Sequence, residues 1–259
     1  MSEPNATKRA SEQVAASLES THNSMTQRHG ASRSLAQLTE SRALTTQQLE
    51  SRHLIHGATS VRASTDAFRE IRTRLLELGD SQNFITLVAP VSRGCGASYV
   101  ARNLAVAFAF DEARTALLID CDFREPSQHT AFGVEPTNGG LIDYMDHPSV
   151  GIDNILYRTG IPRLRLIPAG GAREMSSEYF TSFRMRALLD SLRCRYPDRY
   201  LFLDAPAVTE SPDARIAADL ADFVVLVAGY GRDSPKMIHK AASNFPPAKL
   251  AGVVFDKLS

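Results

Sequence analysis

Neither sign of charge is in excess in this sequence: 29 basic residues meet 29 acidic ones in 259. Bulk electrostatics therefore give no footprint of a nucleic-acid or anionic-membrane binder, and such a partner would need a local patch. No apolar run approaches the roughly 20 residues of a membrane helix, and the polar start has no signal-peptide pattern, so direct membrane insertion is not expected. Cysteine is scarce. Cys95, Cys121 and Cys194 are odd in number and scattered, which argues against a disulfide framework and for reduced thiols in a cytoplasmic protein. Aromatic residues are absent from residues 1–60, where Ser, Thr, Gln, Ala, Arg and His dominate. Such a stretch buries too little apolar surface to offset its ordering entropy. Residues 1–60 are expected to be a disordered polar tail or linker, with at most a transient helix over 34–54. Residues 61–259 are expected to be the folded domain.

From Val61 onward compact apolar runs appear. Phe84–Val88, Ala116–Ile119, Leu164–Ile167, Tyr200–Leu203, Phe223–Val227 and Ala251–Phe255 read as strands, most of them too continuously apolar to be half exposed. Helical stretches lie between them, including Ala97–Asp111, Ser177–Arg195 and Pro212–Leu220. Alternation of this kind predicts an α/β fold, a doubly wound and mostly parallel sheet with helices on both faces. Ligands of such sheets bind at the carboxyl ends of the strands.

At the first of these ends the chain reads Pro90-Val91-Ser92-Arg93-Gly94-Cys95-Gly96-Ala97-Ser98-Tyr99, a phosphate-binding loop without its lysine. In a complete loop the backbone amides cradle phosphates, a lysine neutralises them and the following hydroxyl holds magnesium. Here Gly94, Gly96 and Ser98 are present and Ala97 stands at the lysine position. Arg93 is the nearby cation that could substitute from within the loop, although its bulk would have to fold back from the wrong turn. The second strand ends Asp120-Cys121-Asp122, two carboxylates spaced to point the same way on an extended chain and to share one magnesium ion. The plainer alternative is a solvated strand end with a helix cap. A later strand ends in Asp204-Ala205-Pro206, the form of a second acidic motif that orders magnesium or its water. Cys95 beside a helix N-terminus raises the question of a redox switch, against which stands the ordinary tolerance of this position.

With these motifs in hand, the chain resembles the kinase domain of bacterial tyrosine kinases of capsule and exopolysaccharide synthesis, relatives of partition and septum-positioning ATPases. The resemblance covers residues 61–257. It includes Asp66–Thr73, Asn103-Leu104-Ala105, Leu117–Pro126, Gly140–Asp143, Ile167–Gly170, the Asp204 motif, Ser211–Ala214 and Gly252–Lys257. It implies a P-loop site for ATP or ADP with Mg2+, in which residues 93–99 bind nucleotide, Ser98, Asp120 and Asp204 serve the metal, and Asp120, Asp122 and Asp204 serve catalysis. It also implies a homo-oligomeric ring built through Asp66, Arg69 and Arg72. On a helix these fall on neighbouring turns of one face, opposite Phe68, Ile71, Leu75 and Leu78, which would anchor it; local ion pairing is the alternative.

Three departures from that family point in one direction. A charge-assisted hydrogen bond to a buried anion is worth roughly 1.5–3 kcal/mol, so Ala97 weakens binding about ten- to a hundredfold. A missing cation at a transferring phosphoryl group costs on the order of a thousandfold or more in rate. The family's C-terminal tyrosine cluster has no counterpart before Ser259, the seven tyrosines being dispersed. The family's base-holding asparagine appears as Asp256, which accepts but cannot donate amide hydrogen bonds. The expectation is a kinase-like pseudo-enzyme that regulates chain length or export from beneath a membrane polysaccharide copolymerase. An active autokinase using Arg93 is the alternative. A partition ATPase is a weaker third, because such proteins carry a further lysine where Ser92 stands.

Overall fold

The computed structural model describes residues 43–57, 62–80, 82–147, 149–173 and 177–257. Residues 1–42 of the expected tail, the domain start at Val61 and the terminal Ser259 lie outside the described residues. Residues 43–57, expected to be tail, are instead packed on the domain. Helix α1 (Thr46–Ser51) begins at a capping box in which the Thr45 hydroxyl accepts from the Gln48 amide and the Gln48 side chain accepts from the Thr45 amide. Leu54 and Ile55 then enter the core at 2% exposure each. This segment escaped the sequence reading because its few apolar residues pair with nothing local.

Helix α2 (Arg62–Leu78) leads to β1 (Ile85–Pro90), α3 (Ala97–Ala109) and β2 (Thr115–Asp120). After β2 come the short helices α4 (Gln128–Phe132) and α5 (Leu141–Asp146), then β3 (Tyr157–Arg158) and β4 (Leu164–Ile167). Helices α6 (Ser177–Thr181) and α7 (Phe183–Arg195) precede β5 (Arg199–Asp204); α8 (Asp213–Ala217) precedes β6 (Phe223–Gly229), and α9 (Pro235–Ala242) precedes β7 (Leu250–Asp256). The expected single helix over 177–195 is split. Ser182 is extended, and its hydroxyl accepts from the Met185 amide, so it caps α7 instead of continuing α6.

The strands form one sheet in the order β3-β4-β2-β5-β1-β6-β7, parallel except for the two-residue β3, an edge strand too short to be read from sequence. β1, β2 and β5 are buried along their whole length, which is why their sequences run apolar without alternation. Alternate residues feed two cores. Leu87, Leu117, Leu201 and Leu226 face the layer containing α7, whereas Val88, Leu118, Phe202 and Val225 face α3. The register sets Asp120 opposite Asp204 at the ends of neighbouring strands, beside the loop that follows β1.

On α2, Phe68 and Leu75 are buried and Ile71 is half-buried, as expected, but Leu78 is 39% exposed and does not anchor the helix. Asp66 pairs within the helix, at 3.2 Å to Arg69 and 3.7 Å to Arg62. Arg72 donates to the Ala107 carbonyl at 2.8 Å and so ties α2 to α3.

Candidate functional site

The loop of residues 91–96 turns sharply because two of its residues take positive φ, Gly94 at 71° and Gly96 at 89°. Gly96 is the residue before α3, and a Cβ there would collide with the Asp256 carboxylate, so only glycine fits. Val91 and Cys95 are fully buried and anchor the loop, the Cys95 amide donating to the Ser92 carbonyl at 3.3 Å. The Cys95 thiol points to the Val227 carbonyl, and burial raises its pKa, which is the opposite of an activated redox cysteine.

Ahead of the loop lies a cavity of about 1180 Å³ lined by Gly94, Gly96, Ser98 and the arginines Arg102, Arg124 and Arg173. Ala97 contributes only a methyl group. Arg93 does not reach back over the loop; its guanidinium pairs with Glu125, and both side chains are exposed. Such exposed pairs are individually weak, but this one aims Arg93 at the segment after β2. Arg232 donates to the Gly94 carbonyl at 3.0 Å from the far side of the loop.

The three aspartates are brought to one end of the sheet, each with different hydrogen-bond partners. Asp120 is fully buried, and its Oδ2 accepts from the Ser127 and Gln128 amides at 3.0 Å each while Oδ1 accepts from the Asp122 amide at 3.3 Å. It therefore anchors the turn into α4 from a buried position, and not from the solvated strand end of the plainer alternative. Burial, then the neighbouring Asp204 charge, push its pKa well above the ordinary range. Asp122 lies beyond the strand and accepts from the Arg124 and Glu125 amides at 3.2 and 3.1 Å. The extended chain on which the spacing argument rested ends at Asp120, so Asp122 lies outside the strand.

Asp204 is also fully buried, and burial pushes its pKa up to about 6. Its Oδ2 accepts from the Gln128 side-chain Nε2 at 2.6 Å, and the same nitrogen donates to the Ser98 carbonyl at 3.0 Å. Its Oδ1 has no hydrogen-bond partner, and the Ser98 hydroxyl lies beside this carboxylate without closing a bond of normal geometry. An orphaned buried oxygen next to a serine hydroxyl fits a magnesium ion or its water. Among the described residues no group of three or more His, Cys, Asp or Glu could enclose an ion, so phosphate oxygens and water would have to complete the shell. Gln128 and Arg102 were missed by sequence reasoning. Arg102 was visible as a polar residue in a mostly apolar helix, whereas Gln128 stands among Ser127, His129 and Thr130 and gave no signal of what it meets.

The fold and this loop define the class, an α/β domain of the P-loop NTPase type. Within it the chain is homologous to bacterial tyrosine-protein kinases. No protein-family model matches the chain. It is 31% identical over 198 residues to the putative tyrosine-protein kinase EpsB of Ralstonia solanacearum, 75% of this chain and 26% of that protein. It is 30% identical over 189 residues to the succinoglycan biosynthesis transport protein ExoP of Rhizobium meliloti, 70% of this chain and 23% of that protein. The chain thus spans about a quarter of the length of these relatives. Among solved structures, the chimerical protein CapA2B2 superposes with a TM-score of 0.69 at 26% identity, covering 83% of this chain and 99% of that one. No helix among the described residues is long and apolar enough to cross a membrane.

Proposed function

We propose that this chain is a kinase-like regulatory partner in exopolysaccharide or capsule synthesis, acting beneath a membrane polysaccharide copolymerase. It takes ATP or ADP with Mg2+ weakly and does not pass phosphate to tyrosine. The observation that carries this reading is the loop itself: Ala97 supplies no charge, and Arg93, the cation within the loop, is engaged by Glu125. Gln128 supports it further, since its side-chain amide already occupies one of the two Asp204 oxygens. Of this chain's own groups, the amides of 94–98 would bind phosphate, Ser98 and Asp204 would hold magnesium, and the ion would supply charge neutralisation. The names of EpsB and ExoP, a kinase and a polysaccharide transport protein, favour the pathway.

Calorimetry of ADP binding with Mg2+ compares the native chain with Ala97→Lys. The expected result is weak native binding that tightens about ten- to a hundredfold in the variant. Native binding as tight as the variant's would overturn the reading. The Arg93 autokinase alternative requires Arg93→Ala to abolish tyrosine labelling.

A further inference from the structure

No lysine occurs between Lys8 and Lys236, and the cationic side chains that line the cavity are all arginines. Of the arginines that line the cavity, Arg93 is paired with Glu125 and Arg173 with Asp146 at 3.8 Å, and Arg124 is exposed at the segment after β2. Arg102 differs from these. It stands on α3 four residues after Ser98, hence on the same face and roughly 6 Å further along the axis. Helical side chains lean toward the N-terminus, so a long one at this position lies back over the first turn, the end that favours an anion. Ala97 leaves the space open. The Arg102 Nε is buried with no hydrogen-bond partner, and the guanidinium lies 5.7 Å from the Tyr99 ring centroid. A half-buried cation that lines a cavity at a helix N-terminus, with its buried Nε left without a partner, can be compensated by an anion that arrives from outside.

We infer that Arg102 is the phosphate-binding cation of this site, taking over from the second turn of α3 the charge that the loop lacks, for a ligand with a terminal di- or triphosphate. Burial lowers the Arg102 pKa while the Asp204 and Tyr99 charges raise it, so a phosphate would relieve a desolvated charge. Arginine is suited to this position because its planar fork grips two phosphate oxygens at once. This inference rests on the reading that the loop still takes nucleotide, and it adds the residue responsible.

The test is calorimetric binding of ADP, AMP and pyrophosphate, with and without Mg2+, to the native full chain, Arg102→Gln, Arg102→Lys and Arg102→Gln/Ala97→Lys. Arg102→Gln is expected to lose ADP and pyrophosphate affinity about ten- to a hundredfold. AMP binding should change little, Arg102→Lys should retain part of the loss, and Ala97→Lys should restore it in the double variant. Equal ADP affinity in native protein and Arg102→Gln overturns the assignment, as does an equal loss of AMP and ADP. Absence of ADP binding to native protein at millimolar concentration also overturns it. Tyrosine labelling is a separate readout: a native chain that labels tyrosine contradicts the loss of transfer while leaving the Arg102 assignment standing.

Discussion

Asp256 sits over Gly96, closer to the loop than any added side-chain carbon at position 96 would allow, and burial raises its pKa. A carboxylate held there opposes any phosphate placed against the loop. Asp256→Asn should therefore strengthen ADP binding several-fold, about 1 kcal/mol of removed repulsion, measured by the same calorimetry; unchanged or weaker binding would mean that Asp256 faces away from the ligand. Such contacts explain how far single residues were legible. The glycines, Ser98, Asp120 and Asp204 could be placed at one end of the sheet from the apolar strands preceding them. Their partners could not. Gln128 meets Asp204 across 76 positions of chain, and Arg93 meets Glu125 across a turn whose path depends on Asp122 capping it.

At the scale of elements, Asn103 shows how the segment before α2 is held. Its Oδ1 accepts from the Ile55 amide at 2.8 Å, and its Nδ2 donates to the His53 and Tyr99 carbonyls at 3.0 and 3.1 Å. One fully buried side chain on α3 thus satisfies backbone groups on either side of Leu54. Asn103→Leu leaves the Ile55 amide without a partner in an apolar setting and should cost about 1–3 kcal/mol. The measurement is amide exchange: Ile55 protection should fall by more than that of β1, whereas a uniform loss of protection would show that the segment and the sheet unfold together. The strands were legible because full burial forces continuous apolar runs. The 43–57 segment was not, because Leu44, Leu49, Leu54 and Ile55 are sparse among polar residues and find their surface on α3 and around Ile161. The in-chain acceptor of Arg72 was equally out of reach of the sequence, since it is a carbonyl 35 residues away.

For the whole molecule, two buried carboxylates at neighbouring strand ends make stability depend on pH. The Asp204 pKa is raised from 3.8 to about 6, so between these values the folded state holds a proton that the unfolded chain has released. Stability from this group is complete below pH 4 and is lost as pH rises through 6. In metal-free buffer Asp204→Asn should melt several degrees above native protein at pH 8, on the order of 2–3 kcal/mol, with the difference shrinking toward pH 4. A pH-independent difference would contradict the burial argument. In the proposed function the same buried pair, with Gln128 on one carboxylate and Arg102 near it, holds a ligand without transferring its phosphate. The most direct test of that claim is incorporation of label from radioactive ATP and Mg2+ into tyrosine by the purified chain, read against Asp120→Ala. The account predicts that native protein labels no faster than the variant, and labelling that is strong in native protein and lost in Asp120→Ala would contradict it.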